Sequence, residues 1–278
     1  MTPAATPEPD LSLCEREPIE FPEAVQSHGA LLALTEASLV VERASANTGD
    51  LLGRPPQALL GLPLDVALGG GLAAAVRTAT DAGVNPAQPV AFPWGDSAPG
   101  RPGYWCSLHR SGERLVLDLE PNPPAWSAAD TAVRATQALA RMQTVRAEAA
   151  LEAKLAAAAD LFRALTGYDR AMIYRFDPVD WQGAVVAESR ADDCESYLGL
   201  HYPASDIPAQ ARALYQRSPT RVISDVDAPA APLLAAPDAA DGAPLDLSLS
   251  ALRAVAPLHL EYLRNMGVRA TLTGSLVA

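Results

Sequence analysis

The chain of 278 residues is 49% hydrophobic but only 5% aromatic, carries 25 prolines and has a formal net charge of −12. That length suits one large domain or two ordinary ones, and the apolar share excludes wholesale disorder. The acidic balance argues against a nucleic-acid partner, whose phosphates need clustered Lys and Arg. No run approaches the roughly 18 apolar residues of a membrane span. Met1–Asp10 has neither the basic start nor the apolar core of a secretory signal, so a cytoplasmic location is the default.

Three cysteines are too few for a disulfide framework and lack metal-ligand spacing. Cys106 lies in the alternating run Tyr104-Trp105-Cys106-Ser107-Leu108-His109 and reads as an inert strand residue. Cys194 follows Asp192 and Asp193, whose charges disfavour its thiolate. Cys14 sits in a Pro- and Glu-bearing leader over residues 1–19, from which a thiol can reach something beyond its own segment. An incidental thiol fits the same residues.

From Ala30 onward the pattern is mixed α/β. Ala30–Thr35 and Leu39–Ser45 read as a strand pair, Thr48–Leu52 and Pro56–Leu60 as short helical pieces, and Leu64–Ala82 as a helix broken at Gly69-Gly70-Gly71. Gly103–Leu108 and Glu113–Glu120 form a hairpin across Arg110-Ser111-Gly112, with Gly where positive φ is needed. A small antiparallel sheet with short helices fits a sensor-type domain. Pro121-Asn122-Pro123-Pro124 is the clearest boundary, because consecutive prolines stop helix and sheet alike.

Ser127–Leu165 is helical in propensity, as one helix or two, and its Ala-rich surface permits a close helix–helix dimer or plain packing on its own sheet. Asp169–Phe176 and Gly183–Glu188 read as strands, and Ile207–Arg217 as a helix capped by Ser205 or Asp206 with Pro208 in its first turn. Arg221–Ser224 is a short strand. Asp225–Leu247 is a loop long enough to be functional or disordered. Pro257–Met266 is a helix closed by Gly267, and Arg269–Val277 a final strand.

Three features look like more than core. Asp206 stands between Pro203 and Pro208 with Ile207, in a rigid turn whose carbonyls can accept from ligand N–H groups; a simple helix start fits as well. His259 and Tyr262, spaced i, i+3, share a helix face near Arg253, and Arg221 opens the strand before the long loop. Two arginines beside a His/Tyr face can hold carboxylates. Tyr174, with Tyr202 and Tyr262, supplies aromatic walls if the three converge. No nucleophile–base pair, metal cluster or phosphate-cradling loop is present, so the chain reads as a pocket for a flat, acidic, N–H-bearing ligand and not as an enzyme.

The ordered runs Cys14–Ile19, Val25–Ala30, Tyr168-Asp169-Arg170, Tyr174-Arg175-Phe176, Tyr197–Pro208 and Pro257–Val268 resemble the photosensory region of bacterial phytochromes, the biliverdin-binding red and far-red light receptors. The resemblance runs from Cys14 to Val277. It implies an α+β chain with a leader at 1–19, a PAS domain at 20–121 and a GAF domain at 122–278. Each domain is a central antiparallel sheet flanked by helices, and the leader threads a GAF loop, including Asp225–Leu247, in a figure-of-eight knot.

Further roles follow from the same resemblance. Cys14 matches the thiol joined as a thioether to ring A of biliverdin IXα. Asp206, with Ile207 and Pro208, matches the turn that accepts from the pyrrole N–H groups. His259 matches the histidine beside the pyrrole water and a propionate. Arg221 and Arg253 sit where propionate-binding arginines are expected, with Tyr215 nearby, and Thr271 and Thr273 where hydroxyls meet the other propionate. Tyr174, Tyr202 and Tyr262 match the pocket around ring D, which rotates when light isomerises the C15=C16 bond. A homodimer through the GAF-associated helices and a kinase or response-regulator output in a longer protein are also implied.

Departures are Glu20 in place of a usual His, Ser27 for Pro and Ala256 for Ser. The chain stops at Ala278, before further GAF strands, a second pocket histidine, a PHY domain and a histidine-kinase output. The GAF domain is therefore expected to be incomplete, with weak or heterogeneous pigment binding. The alternative reading is a pigment-free PAS-GAF sensor or dimerisation module that binds another small ligand.

Overall fold

A computed structural model describes residues 17–83, 88–95, 103–122, 128–237, 239 and 243–276, without the side chains of 128–131. The chain folds into two compact units, Met1–Pro124 with Ala209–Ala278, and Ala125–Pro208. The first unit opens with β1 (Ala24–Gln26), β2 (Ala30–Thr35), β3 (Val41–Ser45), α1 (Thr48–Leu52), a 3-10 turn at Pro56–Ala58, α2 (Leu64–Leu68), α3 (Gly70–Asp81), β4 (Val90–Trp94), β5 (Gly103–Ser111) and β6 (Arg114–Asn122). The second unit holds α4 (Ala128–Ala147), α5 (Leu151–Thr166), β7 (Arg170–Phe176), β8 (Gly183–Arg190), β9 (His201–Tyr202) and a 3-10 turn at Ala204–Asp206. The chain then returns to the first unit with α6 (Ala209–Arg217), β10 (Thr220–Ile223), β11 (Ala230–Ala235), α7 (Pro257–Asn265) and β12 (Thr271–Gly274).

The main sheet of the first unit is antiparallel, in the order β1-β11-β3-β2-β6-β5-β4. Its centre is apolar on both faces, which is why β2 reads as the unbroken run Ala-Leu-Leu-Ala-Leu instead of alternating with polar residues. Leu32, Leu34, Leu117 and Leu119 face Leu64, Leu72 and Val76 of α2 and α3. Leu31, Ala33 and Val116 face Leu245, Leu247 and Leu252 on the opposite side. Each such leucine, fully withdrawn from water, contributes roughly 1.5–3 kcal/mol before chain entropy is counted. Cys106 is one of these core residues, its thiol pushed up to about 12 by burial.

The structure corrects four expectations. Residues 225–247 are not simply a loop, because β11 lies within them and inserts between β1 and β3. Pro232 lies within this strand, and its carbonyl accepts from Ala46 N–H at 2.8 Å. The helix expected from Ile207 starts at Ala209, since Pro208 drives Ile207 to an extended φ of −127° and ψ of 88° and leaves 204–206 as a separate 3-10 turn. β6 runs on through Pro121 and Asn122 before the boundary, paired with Tyr104 and Gly103. Among the described residues the last strand is only Thr271–Gly274, after α7 is closed by Gly267 (φ 69°) with the Val268 N–H bonded back to Leu263 O. The helical stretch expected from Ser127 is two helices among the described residues, α4 and α5.

The segment over the second sheet face is fixed by an acid. Asp118 of β6 is fully buried, accepts from Ser250 Oγ at 2.9 Å and Ala251 N–H at 3.0 Å, and has no cation within salt-bridge distance among the described residues. Burial pushes its carboxyl up to about 7 against the lowering effect of Ser250. His109 of β5, also buried, is pushed down to about 4 by desolvation despite Asp246.

The two groups give opposite pH slopes. The Asp118 contribution to stability is full below pH 4 and lost as pH rises toward 7, whereas that of His109 grows between pH 4 and 6.5. Asp118→Asn removes only the first. Its unfolding free energy relative to wild type should therefore climb with pH between 4 and 7, by up to about 1.4 kcal/mol per pH unit, in urea titrations at fixed ionic strength. A pH-independent difference would refute the assignment.

Candidate functional site

The first unit gathers most of the candidate polar residues. In the antiparallel pair β10–β12, Arg221 stands opposite Thr273 and Ile223 opposite Thr271, so the four side chains share one face. Ile223 packs against Leu263 of α7, with Leu260 alongside, which places α7 over that same face. Arg221 Nη2 donates to Arg253 O at 2.7 Å and to Ala254 O at 3.3 Å, while its Nη1 is buried with no partner. Burial, and then the neighbouring Arg253 charge, pull the guanidinium down to about 9 against the opposing influence of Tyr215 on α6. His259 of α7 is lowered by burial and by Arg221, so its imidazole is neutral near pH 7. Its ring stacks on Tyr262, with centroids 6.2 Å apart and planes 12° apart.

Arg253 is held differently. It is 9% exposed, its Nη1 donates to Ile19 O at 2.8 Å, and its Nε is buried without a partner. Arg221, Arg253, Tyr215 and His259 thus form one cationic cluster with Thr273 and Thr271 on the adjoining strand face. The cluster can hold an anion: a carboxylate would complete the open donor of Arg221 and offset the repulsion between two buried guanidiniums.

The second unit contributes an aromatic group. Tyr174 of β7 packs on Phe176 (5.0 Å, 74°) and on Tyr202 of β9 (5.9 Å, 44°). A register shift between Ile173 and Tyr174 sets these consecutive residues opposite Ala187 and Val185 of β8, so both face the same way. Gly183 seats the Tyr174 ring, since a Cβ at that position would lie 1.8 Å from Cζ. Asp206, Ile207 and Pro208 follow Tyr202, with Asp206 closing the 3-10 turn through its N–H to Pro203 O. Of the three tyrosines expected to form one wall, Tyr174 and Tyr202 meet here, whereas Tyr262 belongs to the first unit beside His259. Cys14 lies outside the described residues.

Two positioning groups escape a reading of the sequence. Glu188 of β8, with its side chain 4% exposed, accepts from Ser196 Oγ (2.8 Å) and Tyr197 N–H (3.0 Å) and pairs with Arg170 (3.2 Å). Burial alone would raise its carboxyl, but these bonds and the Arg170 and Arg190 charges hold it low. Arg170 also lies 3.6 Å above the Tyr197 ring, so the segment leading into 197–208 is anchored at both backbone and ring. Gln26 is the other, buried among residues of the first unit. It stands within the run Val25–Ala30, but nothing in a sequence shows that an amide will face strand edges more than 190 residues away.

Gly183→Ala should lower stability by about 1–3 kcal/mol by forcing Tyr174 off its seat. In a Tyr174→Ala background that loss should largely disappear, a coupling that thermal or urea unfolding of the four-variant cycle would detect. Additive effects would count against the contact.

A family model described as a PAS fold matches residues 14–122, and one described as a GAF domain matches 150–278. The chain is 40% identical over 268 residues to a bacteriophytochrome of Xanthomonas campestris pv. campestris and 38% identical over 271 residues to one of Pseudomonas aeruginosa. The match covers 96% of this chain in both cases but 41% and 35% of those relatives, so the chain spans well under half of their length. Among solved structures, the chromophore-binding domain of Stigmatella aurantiaca bacteriophytochrome in the Pr state superposes with a TM-score of 0.83 at 40% identity, covering 95% of this chain and 86% of that one. A chromophore-binding domain from R. palustris gives 0.80 at 38% identity, covering 95% and 85%.

Proposed function

The chain belongs to the bacteriophytochrome family, and from that premise we propose that it is the bilin-binding sensory part of a red/far-red light receptor. The observation that carries the reading is the buried, unpartnered Nη1 of Arg221 within a cationic cluster bordered by Thr273 and His259, a donor set suited to a propionate. The pigment we assign is biliverdin IXα. When bound it supplies visible-light absorption and Z/E isomerisation about its C15=C16 bond.

The residues take separate roles. Arg221 binds one propionate with Nη1, Arg253 and Tyr215 support it, and Thr271 and Thr273 offer hydroxyls to the other. His259, neutral near pH 7, presents one ring nitrogen as donor and one as acceptor toward the pyrrole side. The Asp206 carbonyl accepts from pyrrole N–H groups, with Ile207 and Pro208 holding the turn. Tyr174 and Tyr202, which meet in the second unit, border ring D. Cys14 adds its thiol across the ring A side-chain double bond, with sulfur on one carbon and the thiol proton on the other.

Residues 20–121 are the PAS domain and 122–278 belong to the GAF domain, with the leader threaded as a knot. Supporting the knot, β1 pairs with β11, Glu20 O accepts from Leu247 N–H, and Ile19 O accepts from Arg253. Exposed Val133, Leu139 and Met142 on α4 and Leu151 and Phe162 on α5 suit a homodimer through these helices. Output through a histidine kinase or response regulator falls to a longer protein. A cytoplasmic location accords with the finding that no helix among the described residues is long and apolar enough to cross a membrane.

Biliverdin incubation followed by zinc-induced fluorescence of the denatured band should show an adduct that is lost in Cys14→Ser. Arg221→Ala should weaken reversible uptake about tenfold, the worth of one charge-assisted bond. No adduct with Cys14 intact would favour a pigment-free PAS-GAF sensor or dimerisation module.

A further inference from the structure

We infer that Gln26 is a positioning residue for the carboxylate donor, fixing Arg221 through backbone groups it shares with it. The inference rests on the reading of Arg221 above. Gln26 is 7% exposed, and its Oε1 accepts from Ser224 N–H at 3.0 Å while Nε2 donates to Val222 O at 2.9 Å and to Arg253 O at 3.4 Å. Both amide hydrogens and one carbonyl lone pair are therefore in use.

The placement explains what this side chain does. β10 pairs with β12 through one edge, and alternate residues of a strand direct their peptide groups to the same edge. Val222 and Ser224 are such an alternate pair flanking Ile223, so the Gln26 amide meets the edge of β10 that no strand pairs among the described residues. Arg221 is the residue before Val222. Its Nη2 donates to Arg253 O, the same carbonyl that accepts from Gln26.

One amide therefore holds both the strand that carries the guanidinium and the carbonyl on which that guanidinium rests. With Nη2 so restrained, Nη1 is left as the donor for a ligand. Without Gln26, β10 loses two edge bonds and the Arg253 carbonyl one of its two donors, and Nη1 is no longer pre-aimed.

A role confined to folding would weaken every bilin alike, whereas a role in aiming Arg221 must act through the ligand's carboxylate. The test compares biliverdin with its dimethyl ester, in which the carboxylate charges are absent. It uses a Cys14→Ser background so that binding is reversible and is read by absorbance titration. The parent should favour the diacid by about tenfold, and Arg221→Ala should abolish that preference. Gln26→Met should reduce the preference to about twofold or less while leaving the ester's dissociation constant within about twofold of the parent.

Gln26→Glu keeps the acceptor for Ser224 but loses both donors, and it should reduce the preference likewise; it is the variant to read if Gln26→Met does not fold. A diacid preference that disappears in Arg221→Ala but survives in the Gln26 variants overturns the inference and leaves the Arg221 reading standing. Equal weakening of acid and ester in the Gln26 variants overturns it too. No preference in the parent overturns the Arg221 reading itself.

Discussion

Arg253 is the residue through which three distant pieces of the first unit are held. Its carbonyl accepts from Arg221 on β10 and from Gln26 at the end of β1, while the guanidinium of the same residue donates to Ile19 in the leader. A buried carbonyl that accepts twice is fully satisfied, and the guanidinium is anchored on backbone oxygen, with Glu20 and Asp246 the acids whose charges offset part of its burial. Both properties belong to one residue. The geometry of the cationic cluster consequently depends on where residues 250–254 lie.

Those residues lie where they do because of what the main sheet buries. Leu252 fits against Gly29 so closely that a Cβ there would meet its Cδ2 at 2.5 Å. Ser250 and Ala251 are bonded to Asp118, so a buried carboxyl on that face directs the turn that ends in Arg253. A buried carboxyl without a counter-charge is destabilising, and burial accordingly raises its pKa. In return the hydrogen bonds specify one arrangement of the turn, which leucine packing alone would leave free to slide.

The sequence disclosed the periodic elements and not the polar joints. β2, β5 and β6 were legible because each runs for six residues or more with apolar residues recurring along it, and α4 and α5 because their propensities are uniform. β1, β4 and β9 are short, and their pairing is decided by partners far away in the chain; β11 was hidden by Pro232. In the candidate site, residue type and resemblance pointed to Arg221, Arg253, His259 and Tyr174. They could not reveal that Arg253 spends a donor on Ile19, that Glu188 clamps Tyr197, or that Gln26 braces β10, since each of these is a contact across the fold.

Charge distribution separates the cluster from the rest of the molecule. The chain carries a net charge of −12, and its other arginines commonly meet an acid: Arg43 with Glu23, Arg114 with Glu42, Arg170 with Glu188, Arg217 with Asp246, Arg264 with Asp227 and Arg269 with Asp225. Arg221 and Arg253 rest on carbonyl oxygens instead. Carbonyls satisfy hydrogen bonds but do not cancel charge, so the two guanidiniums repel each other in a poorly solvated place, as the lowered pKa of Arg221 records. An acid supplied by the chain itself would relieve that repulsion and at the same time fill the donor. Among the described residues no acid lies within ion-pair distance of either guanidinium. That is what makes an anionic ligand, and not a further internal ion pair, the complement of this cluster.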